Sequence, residues 1–92
     1  MIKSFRHKGL KLLFESGDHR GVPARMADRI IRRLDALDAA EAPTDLNLPG
    51  FDLHQLKGER RGVWSLKISG NYRITFRFQD GEAFDVHLED YH

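Results

Sequence analysis

Ninety-two residues, 40% of them hydrophobic and 32% charged, supply one thin core, so a single domain covering residues 1–92 is expected and a multidomain enzyme is excluded. Fifteen Lys and Arg against fourteen Asp and Glu leave a formal charge of +1, so bulk charge does not announce a nucleic-acid binder. The absence of cysteine removes disulfides, thiolate nucleophiles and cysteine-held zinc or iron–sulfur centres.

Met1-Ile2-Lys3-Ser4-Phe5-Arg6 lacks the apolar core of a signal peptide, and no apolar run approaches the ~20 residues of a membrane span. A soluble, untargeted protein without membrane partners is expected. Residues 1–5 alternate weakly and suggest a short strand. His7 to Phe14 gathers Leu10, Leu12, Leu13 and Phe14 into a helix that Gly17 ends. Gly21-Val22-Pro23 opens a second helix, on which Met26, Ile30, Leu34 and Leu37 recur at amphipathic spacing. Its other face carries Arg25, Asp28, Arg29, Arg32, Arg33 and Asp35. It reads as a solvated face with an Asp28–Arg32 pair, the alternative being a basic nucleic-acid surface. Residues 39–50, with Pro43, Pro49 and Gly50, form a connection.

From Val63 the period becomes twofold. Three strands, joined at Ser69-Gly70-Asn71 and Gln79-Asp80-Gly81, predict an antiparallel meander. A two-residue Asp80-Gly81 turn would set Phe76 against Asp85 and mix the faces. A three-residue loop instead pairs Phe78 with Glu82, Phe76 with Phe84 and Ile74 with Val86. The same geometry at the first turn pairs Ile68 with Tyr72 and Leu66 with Ile74. The opposite face then lines up Lys67, Arg73 and His87, with Arg77, Ser65, Thr75 and Asp85 nearby. Like charges in register repel, so an anion such as phosphate would explain the row. Neutralisation by Asp85 and Glu59 is the alternative.

Two stretches lack a core pattern, Leu53-His54-Gln55-Leu56-Lys57-Gly58-Glu59-Arg60-Arg61 and Glu89-Asp90-Tyr91-His92. RNA cleavage through the 2'-hydroxyl needs a base, an acid and cations around the phosphorus. His54, Asp90, Tyr91 and His92 can serve the proton transfers, and Lys57 and Arg73 the charge. His87, Asp90 and His92 match no metal-ligand spacing, so no metal is expected. Neither a nucleophile elbow nor a phosphate-binding glycine loop is present, and no cofactor is implied.

These residues resemble those of HigB-type toxins of the RelE/ParE superfamily of toxin–antitoxin systems. The resemblance runs nearly end to end. It rests on Met1-Ile2-Lys3-Ser4-Phe5, Leu53-His54-Gln55-Leu56-Lys57-Gly58, Trp64-Ser65, Arg73-Ile74-Thr75-Phe76 and Asp90-Tyr91-His92. It implies an α+β microbial RNase fold, a small antiparallel sheet with two N-terminal helices packed on it. It further implies a cytoplasmic, metal-independent endoribonuclease that cuts mRNA in the ribosomal decoding site, with adenosine-rich codons suggested, and a helix-turn-helix antitoxin of HigA type. Carried over, His54, Lys57, Arg73, Asp90, Tyr91 and His92 form the catalytic set, and Lys67, Arg77, His87, Arg60 and Arg61 are expected to contact RNA. Tyr72 stands where relatives often carry Trp and Lys67 where Arg is common, which keeps aromatic bulk and charge. Asp90 and His92 reach the Arg73 face only if the chain leaves strand geometry after Leu88. Rival readings on the same fold are a ParE-like inhibitor of DNA gyrase and a non-catalytic module that holds RNA or protein on the cationic row.

Overall fold

The computed structural model describes residues 1–91. Two helices, α1 (Lys8–Ser16) and α2 (Ala27–Ala39), precede four strands, β1 (His54–Gln55), β2 (Val63–Ser69), β3 (Tyr72–Gln79) and β4 (Glu82–Asp90). The strands form one antiparallel sheet in the order β1-β2-β3-β4, so the expected α+β arrangement is the one found, with a two-residue strand added before the meander.

Helix α1 starts where the His7 Nδ1 accepts from the Leu10 N–H at 3.1 Å, satisfying a donor the first turn cannot. It stops at Gly17, whose φ of 72° suits glycine. Pro23 precedes a 3-10 turn, Ala24–Met26, that runs into α2. Met26, Ile30, Leu34 and Leu37 are all buried, as their spacing requires. The other face of α2 is not wholly solvated: Arg33 is buried at 8% exposure, and no ion pair joins Asp28 to Arg32 among the described residues. Within the connection a 3-10 turn, Pro43–Leu46, seats Leu46 in the core. One buried cluster joins Leu10 and Leu13 of α1, Met26, and Ile30, Leu34 and Leu37 of α2 to Leu66, Ile68, Ile74, Phe76, Val86 and Leu88 of the sheet. Each such side chain contributes about 1.5–3 kcal/mol on leaving water. The short strand expected at residues 1–5 is reduced to two parallel bridges, Ile2 with Ala83 and Phe5 with Val86.

The sheet register corrects the sequence reading in three places. Leu66 faces Ile74 and Lys67 faces Arg73 as expected, but Ser69 rather than Ile68 faces Tyr72, because Ile68 is an extra residue in β2. The β3–β4 connection is a two-residue turn, with Gln79 opposite Glu82 and positive φ at both Asp80 (53°) and Gly81 (78°). That handedness matches the strand twist. The mismatch this turn creates is absorbed further on. Asp85 and Val86 together oppose Phe76, with Asp85 at φ 54° and its N–H donating to the Ser4 hydroxyl at 2.9 Å. The pairings Phe78–Glu82, Phe76–Phe84 and Ile74–Val86 therefore do not occur. Phe84 moves to the outer face opposite Arg77, while Val86 and Leu88 face the core. Finally, β4 does not end at Leu88. It pairs through Asp90, opposite Tyr72, and the Tyr91 N–H still donates to the Asn71 carbonyl at 2.7 Å.

Gly9 of α1 lies against the backbone of Gly21, where an added Cβ would sit 2.1 Å from the Gly21 carbonyl oxygen. The two nearest atoms are main chain and cannot rotate away. Gly9→Ala is expected to lower unfolding free energy by about 1–3 kcal/mol, read as a shifted urea midpoint with unchanged slope.

Candidate active site

Residues directly opposite in an antiparallel pair share a face, so the outer face of the sheet can be read across the strands. One line runs His54, Ser65, Thr75, His87, and the next runs Lys67, Arg73, Glu89. The short β1 brings His54 to this face by pairing it with Ser65. Arg73 is thus flanked by Lys67 and Glu89, and the expected Arg73–His87 neighbourhood is displaced by the shorter turn and the extra residue in β4 together. His87 instead lies opposite Thr75, its ring 5.7 Å from that of His7. Its Nδ1 is buried and has no hydrogen-bond partner among the described residues. Burial, and then the charge of His87, pushes the His7 pKa down.

Arg73 is fixed on three sides. Its Nε donates to the Ser65 hydroxyl at 2.9 Å, one terminal nitrogen to the Asp52 carbonyl at 2.7 Å, and the other to the Asp52 carboxylate at 3.3 Å. The second oxygen of Asp52 lies 3.0 Å from the His54 Nε2. A carboxylate only accepts, so Nε2 is the donor in this pair, and the neutral tautomer that fits it has its lone pair at Nδ1. Partial desolvation raises the Asp52 carboxyl, but hydrogen bonds and charge from Arg73 and His54 outweigh it and hold the pKa below the usual aspartate value.

A second group adjoins the first through the Arg73–Glu89 and Ser65–Thr75 pairings. Glu89 takes both terminal nitrogens of Arg60 and the Thr75 hydroxyl, and Arg60 also donates to the Tyr91 hydroxyl at 3.2 Å. The Arg60 hydrogen bonds, opposed by burial and aided by Thr75, hold the Glu89 carboxyl below its ordinary value. The carboxylates that engage cations here are therefore Asp52 and Glu89, not the Asp85 and Glu59 of the alternative weighed from the sequence. Those two line a cavity of about 100 Å³ together with Arg6, Arg60, Arg77 and Thr75, and neither makes an ion pair among the described residues.

Of the candidate residues, His54 and Arg73 are joined through Asp52, and Arg60 and Tyr91 through their own bond. Lys57 and Arg61 are exposed beyond β1, around a shallow depression with Gln55, Leu56 and Gly58, and neither bonds to Arg73. Arg77 is exposed one pleat beyond Thr75. Asp90 is exposed and shares a face with Tyr72 and the core side of β4, away from Arg73. His92 lies outside the described residues. Sequence reasoning missed Asp52 and left Glu89 without a role. No periodic signal marked Asp52, whose backbone is left-handed (φ 48°) just before β1 begins at His54. The signal for Glu89 required the register.

Fold and site together define a class: a small α+β domain whose exposed sheet face carries an acceptor-held imidazole, a fixed guanidinium and further cations. The chain belongs to the HigB-like toxin family, described as RelE-like toxins of type II toxin–antitoxin systems, whose family model matches residues 3–92. It is 54% identical over 92 residues to a Proteus vulgaris protein named Endoribonuclease HigB, covering 100% of each chain. It is 33% identical over 91 residues to Toxin HigB-1 of Vibrio cholerae serotype O1, covering 97% of this chain and 96% of that one.

Glu89→Gln removes the charge that Arg60 and Thr75 hold. Because the folded-state pKa is depressed, the stabilisation is full above the ordinary glutamate pKa of about 4.3 and is lost as pH falls through the folded value. Urea titrations are expected to show the variant about 1–2 kcal/mol less stable at pH 7, with the gap closing as pH falls below the ordinary glutamate pKa.

Proposed function

We propose that this chain is the endoribonuclease toxin of its toxin–antitoxin pair and cuts mRNA held in the decoding site of the ribosome. The observation that carries this reading is the His54–Asp52–Arg73 arrangement, a proton acceptor and a phosphate-binding cation held by one carboxylate on an open sheet face. The family membership and the name of the Proteus vulgaris relative support the same reaction.

In the proposed reaction the His54 Nδ1 takes the proton of a ribose 2'-hydroxyl, whose oxygen attacks the adjacent phosphorus. The bond to the 5'-oxygen breaks, and His92 returns a proton to that oxygen. The products are a 2',3'-cyclic phosphate and a 5'-hydroxyl end. Asp90 is the other candidate base, and the face it shares with Tyr72 favours His54 for the role. Arg73 stabilises the extra negative charge on the phosphoryl oxygens through N–H groups not committed to Asp52 and Ser65, and Lys57 adds charge from the neighbouring loop. Tyr91, its hydroxyl on Arg60, orients a base. Lys67, Arg60, Arg61, Arg77 and His87 complete the RNA-facing set. A net charge of +1 suits an enzyme whose substrate is positioned by the ribosome rather than captured from solution. The partner that silences it is a helix-turn-helix antitoxin of HigA type, and the site of action is the cytoplasm.

Primer extension on mRNA from cells briefly expressing the chain tests this reading. In-frame cuts within translated codons are expected, and His54→Ala, Arg73→Ala and removal of His92 are each expected to reduce cutting about 10²–10⁴-fold while the chain stays folded. Growth arrest and cuts should vanish together. Arrest with intact transcripts and stalled replication would instead identify a gyrase inhibitor, and RNA binding without cuts a non-catalytic module.

A further inference from the structure

A second cationic feature lies beside the site and plays no part in the proton transfers. An open groove of about 630 Å³ runs between α2 and the β2 end of the sheet, lined by Arg29, Arg33, Lys67, Asp52 and the turn at Ser69 and Gly70. Its wall is Arg33. Among the described residues this buried guanidinium donates only to carbonyls, those of Lys67 (2.7 Å), Gly50 (3.1 Å) and Arg29 (3.4 Å), and its face lies over the Phe51 ring at 4.6 Å. No carboxylate reaches it among the described residues. Burial, with Arg32 and Arg29 nearby, pushes its pKa down, the sign of a positive charge without a counter-charge.

The other cations of the groove are also without an anion. Arg29 donates to the Ile68 carbonyl at 3.3 Å, and Lys67 is exposed with no ion pair among the described residues. The single carboxylate lining the groove, Asp52, is already committed to His54 and Arg73. Three cations therefore surround a space large enough for a phosphate and its sugar. The groove is also continuous with the candidate active site. Asp52 belongs to both, and Lys67 stands directly opposite Arg73, one strand spacing of about 4.8 Å away.

We infer that the Arg29–Arg33–Lys67 groove is a second phosphodiester site, which grips the RNA backbone next to the linkage held by Arg73. The inference rests on the nuclease reading and deepens it. Arg33 sets the field from a fixed position, and Arg29 and Lys67 make the contacts. Arg29 and Lys67 are surface residues whose removal leaves the carbonyl clamp of Arg33 in place.

The test uses the full chain and a fluorescent single-stranded RNA decamer with 2'-O-methyl riboses, which cannot be cut. Binding is titrated across salt for wild type, for R29A/K67A, and for K11A as a charge removed from α1. Each phosphate interaction removed should shrink the slope of log K against log salt by about 0.7, so R29A/K67A is expected to reduce the slope by about 1.4 and the low-salt affinity about tenfold, with K11A like wild type. An unchanged slope and affinity in R29A/K67A overturns the groove, as does an equal weakening in K11A, which would mark diffuse attraction. If wild type still cuts translated mRNA in either case, the nuclease reading stands and only the groove falls. A wild-type chain that cuts translated mRNA yet does not bind the decamer at low salt overturns the groove alone, and one that neither cuts nor binds overturns both.

Discussion

The extra residue in β4 at Asp85 decides which side chains meet on the outer face of the sheet. Without it, the two-residue turn at Asp80-Gly81 would carry Val86 and Leu88 out of the core and reverse every position after Phe84. With it, the core keeps its apolar face, and Glu89 rather than Leu88 arrives opposite Arg73. The short turn and the extra residue together thus convert a row of cations into a cation flanked by a carboxylate. A backbone cost at a single left-handed aspartate is offset by correct burial along the rest of the strand.

That substitution of neighbours explains how a nearly neutral chain concentrates positive charge without self-repulsion. Arg73 is held by Asp52 and Ser65, and Arg60 by Glu89. Such pairing orders the guanidinium groups before any ligand arrives, so less rotamer freedom remains to be lost on binding. Arg33 is the exception, held by carbonyl dipoles and an aromatic face instead of by charge.

The elements whose signal is local were legible in the sequence. The α2 spacing of Met26, Ile30, Leu34 and Leu37, the twofold strands and the Lys67–Arg73 register all follow from periodicity, and Gly17 from its position after an apolar run. What could not be read was set by compromise between distant parts. The β3–β4 turn looked wrong because the bulge that repairs it is anchored by Ser4, 81 positions away. Arg33 looked solvated because its partners are carbonyls of β2 and of the loop at Gly50, which carry no side-chain signature. Within the site, His54 and Arg73 were found as residue types at motif spacing, whereas Asp52, which joins them, became visible only once β1 brought its neighbour onto the sheet.

The N-terminal bridges carry a consequence for how other proteins can attach. Residues 1–6 spend their main-chain groups on the outward side of β4, through Lys3 N–H to Ala83, Arg6 N–H to Val86, Ala83 N–H to Met1 and Val86 N–H to Ser4. The opposite border of the sheet is β1, only two residues long. Around Ala83 and Val86 the outer margin therefore leaves a foreign strand no vacant amides and carbonyls, and at the other border β1 gives it only two residues to lie against, so polymerisation through strand exchange has little backbone to start from there.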